Sequence, residues 1–360
     1  AYTAGFGLTA FEYQYGRGVR LAHDKAAALG AACAERDIAL SVHAPYYISM
    51  SSLEEDKRLH SIDYLLQSCA LVKALGGRRV IFHSGSCGKQ SREEALEKAL
   101  DTMARAVKAC DEAGFEDCIL CPETMGKVNQ LGTLDEVLAL CEVDPRITPC
   151  IDFGHLYARS CGVQFADATA AADYAALLDT LAARLGDDRA VHFHAHFSRI
   201  AYTKGGEKCH LTFADTAFGP PHAPLLALLK ERHLAPTIIC ESAGTQAEDA
   251  AALEDRADVL VSLGNACDNQ LPSKLFGYFG TGKPVLHLAV SKADPALPYL
   301  ARYPLALVLY RKDGVTPGTV AKLHSWLHNV QGHALPFAQT ARLYPEFTPE
   351  KVAEEFLKWL

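Results

Sequence analysis

Ile147-Thr-Pro-Cys-Ile-Asp152-Phe-Gly-His155 is a short apolar run that stops on a metal-type side chain and turns at once into Gly and His. Five other runs share the form. Ile38-Ala-Leu-Ser-Val-His43, Arg79-Val-Ile-Phe-His83 and Ile119-Leu-Cys-Pro-Glu123 precede it, and Ala190-Val-His-Phe-His-Ala-His196 and Thr237-Ile-Ile-Cys-Glu241 follow. Short apolar runs bounded by polar or glycine-rich sequence read as buried parallel strands. Between them lie amphipathic stretches long enough for crossover helices. A strand–helix repeat with a ligand at each strand's C-terminal end matches the place where (β/α)8 barrels build their active sites. The expected fold class is α/β, a (β/α)8 TIM barrel with imidazoles and carboxylates at its mouth.

The helices carry their own signals. Ser91-Arg-Glu-Glu94 and Thr133-Leu-Asp-Glu136 are capping boxes, and the first opens a helix that should stop at Gly114. Residues 56–75, 167–185 and 224–231 also have helical patterns. A further strand at residues 8–15 precedes the six, whereas a closed barrel needs eight. The first strand should lie before Phe6 and is expected to be absent or badly shortened.

Composition shifts after Glu241. Residues 246–256 form an acidic, Ala-rich connector, and a second αβ pattern without ligands at its strand ends follows. Its expected strands are 258–263, 284–289 and 305–310, with helices near 273–280, 298–303 and 319–330. The division is a barrel at 1–247 and a small Rossmann-like α/β unit at 257–360.

Of the 360 residues, 49% are hydrophobic and 22% charged, as in a soluble globular chain with a large core. No apolar stretch reaches the roughly 18 residues of a membrane span, and no signal peptide opens the chain. The first residue is Ala, which points to processing or truncation. The twelve cysteines are scattered, so buried free thiols in a reducing cytoplasm are expected. Cys118 and Cys121 form a lone CxxC, a spacing that points two thiols to opposite faces of a strand rather than at one zinc. The formal charge of −8 disfavours non-specific nucleic-acid binding. A carboxylate-rich metal site supplies several of those charges, and bound cations would cancel them locally.

A lone strand histidine is usually structural, Asp152 could cap a helix, and Glu207 could be a solvated loop charge. Six such residues at equivalent strand ends instead indicate a metal cluster. Asp152 and His155 supply two ligands from one turn, and Glu207 and His210 lie in the loop after the His196 strand. His192, His194 and His196 alternate and should face one side; His196, nearest the strand's end, is the preferred ligand and His194 the second. The candidates exceed what one ion takes, which suggests two or three ions sharing bridging carboxylates. Zinc suits the donors, and manganese or iron is compatible with the mixed nitrogen and oxygen set. Clustered ions suit phosphoester hydrolysis.

Residues 6 to about 245 resemble the endonuclease IV family, zinc-dependent apurinic/apyrimidinic endonucleases within the xylose isomerase-like barrels. The matching stretches are His43-Ala-Pro-Tyr46, Phe82-His83-Ser-Gly85, Pro122-Glu123-Thr-Met-Gly126 with Asn129-Gln-Leu-Gly132, Cys150-Ile-Asp152-Phe-Gly-His155, His196-Phe-Ser, Glu207-Lys-Cys-His210 and Ile239-Cys-Glu241. The resemblance implies a trinuclear zinc site from His43, His83, Glu123, Asp152, His155, His196, His210 and Glu241. It also implies that Glu123 bridges ions and positions the nucleophile, that Tyr46 lies near the DNA, and that the substrate is DNA with abasic sites. In the family an Asp stands two residues before the last His, whereas Glu207 stands three before His210. A sugar isomerase or epimerase on the same barrel would need Glu123, Asp152, His196 and Glu241 around one divalent ion, but not His43, His83 and His210 together. A third alternative is a barrel that keeps its ligands without turnover.

In the second unit, Asn269-Gln-Leu-Pro-Ser-Lys274-Leu-Phe-Gly-Tyr278 and Gly282-Lys-Pro-Val-Leu resemble the nucleotide-sugar half of a GT-B glycosyltransferase. There the Pro-Ser-Lys segment opens a helix whose N-terminus faces a diphosphate. That family carries a Glu where this chain has Gly277, so an interaction or vestigial role is expected rather than nucleotide-sugar binding and transfer.

Overall fold

A computed structural model describes residues 3, 6–16, 18, 21–254, 259–264 and 275–347. The chain divides into two compact units, Thr9–Ala250 and Ala1–Leu8 with Ala251–Leu360.

The larger unit alternates strand and helix. Its elements are β1 (Ala10–Gln14), α1 (His23–Ala34), β2 (Ala39–His43), α2 (Glu55–Ala74), β3 (Arg79–Phe82), α3 (Arg92–Glu112), β4 (Ile119–Pro122), α4 (Leu134–Cys141) and β5 (Cys150–Asp152). They continue with α5 (Phe153–Arg159), α6 (Ala170–Leu185), α7 (Asp187–Val191), β6 (His194–Phe197), β7 (Arg199–Thr203), β8 (Gly206–Leu211), α8 (Ala223–Glu231) and β9 (Thr237–Cys240). Strands β1 to β4 pair in parallel and in sequence, as do β5, β6 and β9. A parallel bridge between Glu123 and Cys150 links β4 to β5, and β9 lies beside β1. The strands read from the sequence are therefore all present. An eighth before Phe6 falls largely outside the described residues.

Local chemistry accounts for the boundaries. Ser91 and Thr133 each accept the N–H of the third helical residue, Glu94 or Glu136, whose carboxylate returns to the cap N–H. Each box thereby satisfies two of the free donors at a helix start. The Ala190–His196 run departs from its reading as one strand. Its first residues complete the short α7, so His192 is not in β6, and only His194 and His196 share the inner face.

Between strands and helices, Phe153 meets Phe165 and Tyr174 at centroid distances of 5.9 and 5.4 Å, and Phe165 stacks on Tyr174 at 4.3 Å. The barrel interior holds the small set Ile81, Cys121 and Cys150, with Ile119 against it. At the opposite end from the mouth, Arg79 donates to Thr237 Oγ1 (2.9 Å) and to the His192 carbonyl (2.5 Å), tying β3 to β9 and to the entry of β6. Cys118 lies just before β4 and Cys121 within it, both buried and free.

α9 (Gln246–Glu254) occupies the connector. In the second unit, β10 (Leu260–Leu263), β11 (Val285–Ala289) and β12 (Ala306–Tyr310) form a parallel three-stranded sheet, with α10 (Leu275–Thr281), α11 (Leu297–Leu300), α12 (Pro317–Val330) and α13 (Phe337–Leu343). Leu275, Phe279, Val285, Leu300, Tyr303 and Tyr344 make its core, with Phe279 stacked on Tyr344 at 4.5 Å. Residues 269–274, which include Lys274 of the glycosyltransferase-like segment, lie outside the described residues. No described helix is long and apolar enough to cross a membrane.

Candidate metal centre

Parallel register brings the strand ends together. Gln14 pairs with His43, and Asp152 with His196. Inner-face alternation then aims these side chains, with His83, Glu123 and Glu241 just beyond their strands, at one mouth.

Glu123 is fully buried at the centre. One carboxylate oxygen lies 3.2 Å from His43 Nε2 and 3.1 Å from His83 Nε2. The other lies 2.9 Å from His196 Nδ1 and 3.4 Å from His155 Nδ1. Asp152 caps α5, its Oδ1 accepting the His155 N–H at 2.7 Å, while its buried Oδ2 has no hydrogen-bond partner. Glu241 accepts from Gln14 Nε2 at 2.6 Å through one oxygen, and its other oxygen lies 3.6 Å from His196 Nδ1 and 4.0 Å from His210 Nε2.

Several imidazoles are pinned from behind. His43 Nδ1 sits 2.9 Å from the Ala44 carbonyl, His155 Nδ1 2.9 Å from the Thr124 carbonyl, and His210 Nδ1 2.9 Å from Ser198 Oγ. Each contact commits one ring nitrogen and leaves Nε2 for the centre, the orientation that outer partners impose on ligating histidines. β7 and β8 form an antiparallel hairpin that delivers Glu207 and His210. The hairpin docks where the Glu207 N–H donates to the Gly126 carbonyl at 3.1 Å. A side chain at Gly126 would begin 2.6 Å from Glu207 Cβ and 2.9 Å from His155 Cδ2, so only glycine admits both. Tyr46 is 58% exposed at the rim, 5.4 Å from His83 and 5.9 Å from His43 between ring centroids. Gly16 makes room for it: a Cβ there would lie 2.3 Å from the Tyr46 ring.

All eight sequence-read ligand positions thus fall into three adjoining groups. These are His43, His83 and Glu123; Glu123, Asp152, His196 and Glu241; and His155, Glu207 and His210, each with its donor atoms within 4.8 Å of one another. Glu207, read with ambiguity, joins the third. Sequence reasoning missed Glu12, Gln14 and Ser198. Alternation along β1 places Glu12 and Gln14 on one face, which was the available signal.

Burial and charge work against each other here. Burial favours neutral His43, yet the Glu123 carboxylate raises it to about 9; burial likewise opposes charge on His155, but Asp152 and Glu123 raise it to about 10. His83 is lowered by burial despite Glu123, and burial raises Asp152 against the pull of His155. The arrangement gathers many donors, an unsatisfied buried carboxylate oxygen and pinned imidazoles, and it fits divalent ions.

Residues 1–263 match the family described as the xylose isomerase-like TIM barrel. The chain belongs to that family. An uncharacterized protein of Methanocaldococcus jannaschii is 34% identical over 238 residues, covering 65% of this chain and 82% of its own. A probable endonuclease 4 of Mycoplasma pneumoniae is 32% identical over 121 residues, which is 32% of this chain and 41% of that relative. The match therefore spans less than half of the latter protein. Among solved structures, a D-tagatose 3-epimerase-like protein superposes with a TM-score of 0.52 at 16% identity, covering 69% of this chain and 88% of that one. At that identity the likeness shows the fold alone.

Proposed function

We propose that the barrel is a metal-dependent phosphodiesterase that hydrolyses DNA at abasic sites, with two or three zinc ions, or manganese, held by His43, His83, Glu123, Asp152, His155, His196, His210 and Glu241. The observation that carries this is the central position of Glu123, whose two oxygens face different imidazole pairs, with further donors beyond each. One ion does not use so many ligands. When bound, clustered divalent ions stabilise charge on the attacking and leaving oxygens of a phosphodiester. The chain's own residues hold and orient. Glu123 would hold ions through both oxygens and act as the catalytic carboxylate, Gln14 fixes one oxygen of Glu241, and the backbone carbonyls behind His43 and His155 set their tautomers. Tyr46 offers an exposed ring to substrate at the rim. Similarity to the probable endonuclease 4 supports this reading. Eleven free cysteines among the described residues support a cytoplasmic setting.

The test is cleavage of a duplex with one abasic site by zinc-loaded protein and by Glu123→Gln. Incision by the wild type that is lost in the variant is expected; unchanged incision by the variant would sink the assignment. A second reading, sugar isomerisation or epimerisation, has its own observation: Glu123, Asp152, His196 and Glu241 by themselves make a set sufficient for one ion. His83→Ala separates the two. It should abolish DNA cleavage, whereas an epimerase would keep turnover on free ketoses. Turnover on neither substrate class would favour a barrel that retains ligands without catalysis.

A further inference from the structure

One layer below the mouth, the barrel interior holds a second donor set, of which the proposed reaction uses only His196. Parallel register pairs Cys150 with His194 beneath the Asp152–His196 pair, and Glu12 with Ser41 beneath the Gln14–His43 pair. Glu12, Cys150, His194 and His196 are all at least nine-tenths buried. Glu12 Oε2 lies 3.0 Å from His194 Nε2, and Glu12 Oε1 lies 3.0 Å from His196 Nε2. Donor atoms of Cys150, His194 and His196 lie within 4.8 Å of one another.

These contacts are short but not directional. His194 Nδ1, His194 Nε2, His196 Nε2 and Glu12 Oε1 are buried and have no hydrogen-bond partner; Glu12 is bonded only through Oε2, which accepts from Ser41 Oγ at 2.9 Å. Nitrogens and oxygens at hydrogen-bonding distance that are not aimed at one another leave a buried layer unsatisfied, which destabilises it unless another group closes it. Two ligands on one zinc ion, with bonds near 2.05 Å at a tetrahedral angle, stand about 3.3 Å apart. Close, buried and mutually misaligned donors are the pattern that convergence on an ion produces. Arg79 cannot fill the role, because its guanidinium is already spent on Thr237 and the His192 carbonyl.

We propose that Cys150, His194 and His196, with the Glu12 carboxylate against both imidazoles, form a buried structural zinc site inside the barrel, one layer below the ions at the mouth and sharing His196 with them. One thiolate and one carboxylate would offset the divalent charge where water is excluded, and an imidazolate shared with the mouth would add a further negative charge. Ion entry expels the Cys150 thiol proton. His196 contributes Nε2 below and presents Nδ1 to Glu123 above; ligation on both sides makes it a bridging imidazolate and expels its last ring proton as well. The site does not depend on the nuclease reading and stands if the mouth proves to serve another reaction.

Cobalt(II) tests it on the full chain. After chelation and reloading with cobalt, the wild type should show near-ultraviolet thiolate-to-cobalt charge-transfer absorption, because the mouth donors include no sulfur. Cys150→Ser should lose that absorption, and His194→Gln should bind one ion fewer. Absence of the band in fully loaded wild type, or a band unchanged in Cys150→Ser, would overturn the proposal. The wild-type spectrum decides even if a variant fails to fold.

Discussion

Two buried histidine–carboxylate networks in this molecule are built on opposite plans. In the C-terminal unit, His287 joins Ser262 and Asp294, all buried. Its Nδ1 is 3.0 Å from Ser262 Oγ and its Nε2 is 3.0 Å from Asp294 Oδ2, while Asp294 Oδ1 accepts the Ala296 N–H at 2.9 Å. Each of these polar atoms has its own partner, and the network closes on itself. In the barrel, Glu123 is shared among four imidazoles, and Asp152, His194, His196 and Glu12 keep buried atoms without partners. Pairwise closure needs nothing more, whereas surplus, converging donors suit an ion. The difference separates a structural polar core from a candidate metal centre using the same residue types.

Substitution at the shared carboxylate should have the largest effect. Glu123→Gln should lower abasic-site cleavage by more than the roughly 100-fold that outer-shell partners cost at most. A rate within a few-fold of wild type would remove Glu123 from the centre of the comparison.

Proton release on loading comes next. His43 and His155, raised from 6.5 to about 9 and about 10, carry protons in the metal-free chain at neutral pH. Because the folded values lie above the unfolded ones, these protons stabilise the metal-free fold fully below pH 6.5, and that contribution is lost as pH rises through about 9 to 10. Metal must displace them, so apparent affinity should rise with pH across the same window, by roughly tenfold per unit for each proton released. Calorimetry in buffers of different ionisation enthalpy measures the release; loading with no proton release would contradict the assignment of these two rings as ligands.

The closed network should respond differently. His287→Leu should cost about 1–3 kcal/mol in thermal or denaturant unfolding, because it leaves buried partners unpaired. Metal content and cleavage should stay unchanged; loss of bound metal would break the contrast. The smallest effect is expected at Glu136, another pairwise-satisfied group. Burial opposes its charge, but the Arg92 pair and the Gly132 and Thr133 N–H groups hold it below the usual glutamate range. Its stabilisation is present above pH 4.5 and lost as pH falls through the lowered value. Glu136→Gln should therefore cost about 1 kcal/mol at neutral pH, and the difference should vanish in acid. A gap that persists there would mean that shape, not charge, sets the effect.

Much of this contrast was legible in the chain. Apolar runs ending on His43, His83, Glu123, Asp152, His196 and Glu241 mark strand ends, because a buried parallel strand is apolar until it reaches the mouth. The capping boxes at Ser91 and Thr133 placed α3 and α4. Partners set by pairing across the barrel were less visible. Glu12 and Gln14 lie in a strand rich in aromatics, and nothing local says that their face is the inner one. His192 read as part of an alternating strand, but α7 claims the residues before it. The β7–β8 hairpin, which brings Glu207 and His210 to the mouth, depends on docking against Gly126, a contact between distant segments.

The most direct test of the multi-ion centre is anomalous scattering at the zinc edge from crystals of the zinc-loaded protein. The account predicts at least two peaks at the mouth flanking Glu123, one toward His43 and His83 and another toward Asp152, His196 and Glu241. A single peak among Glu123, Asp152, His196 and Glu241, or none at the mouth, would contradict it.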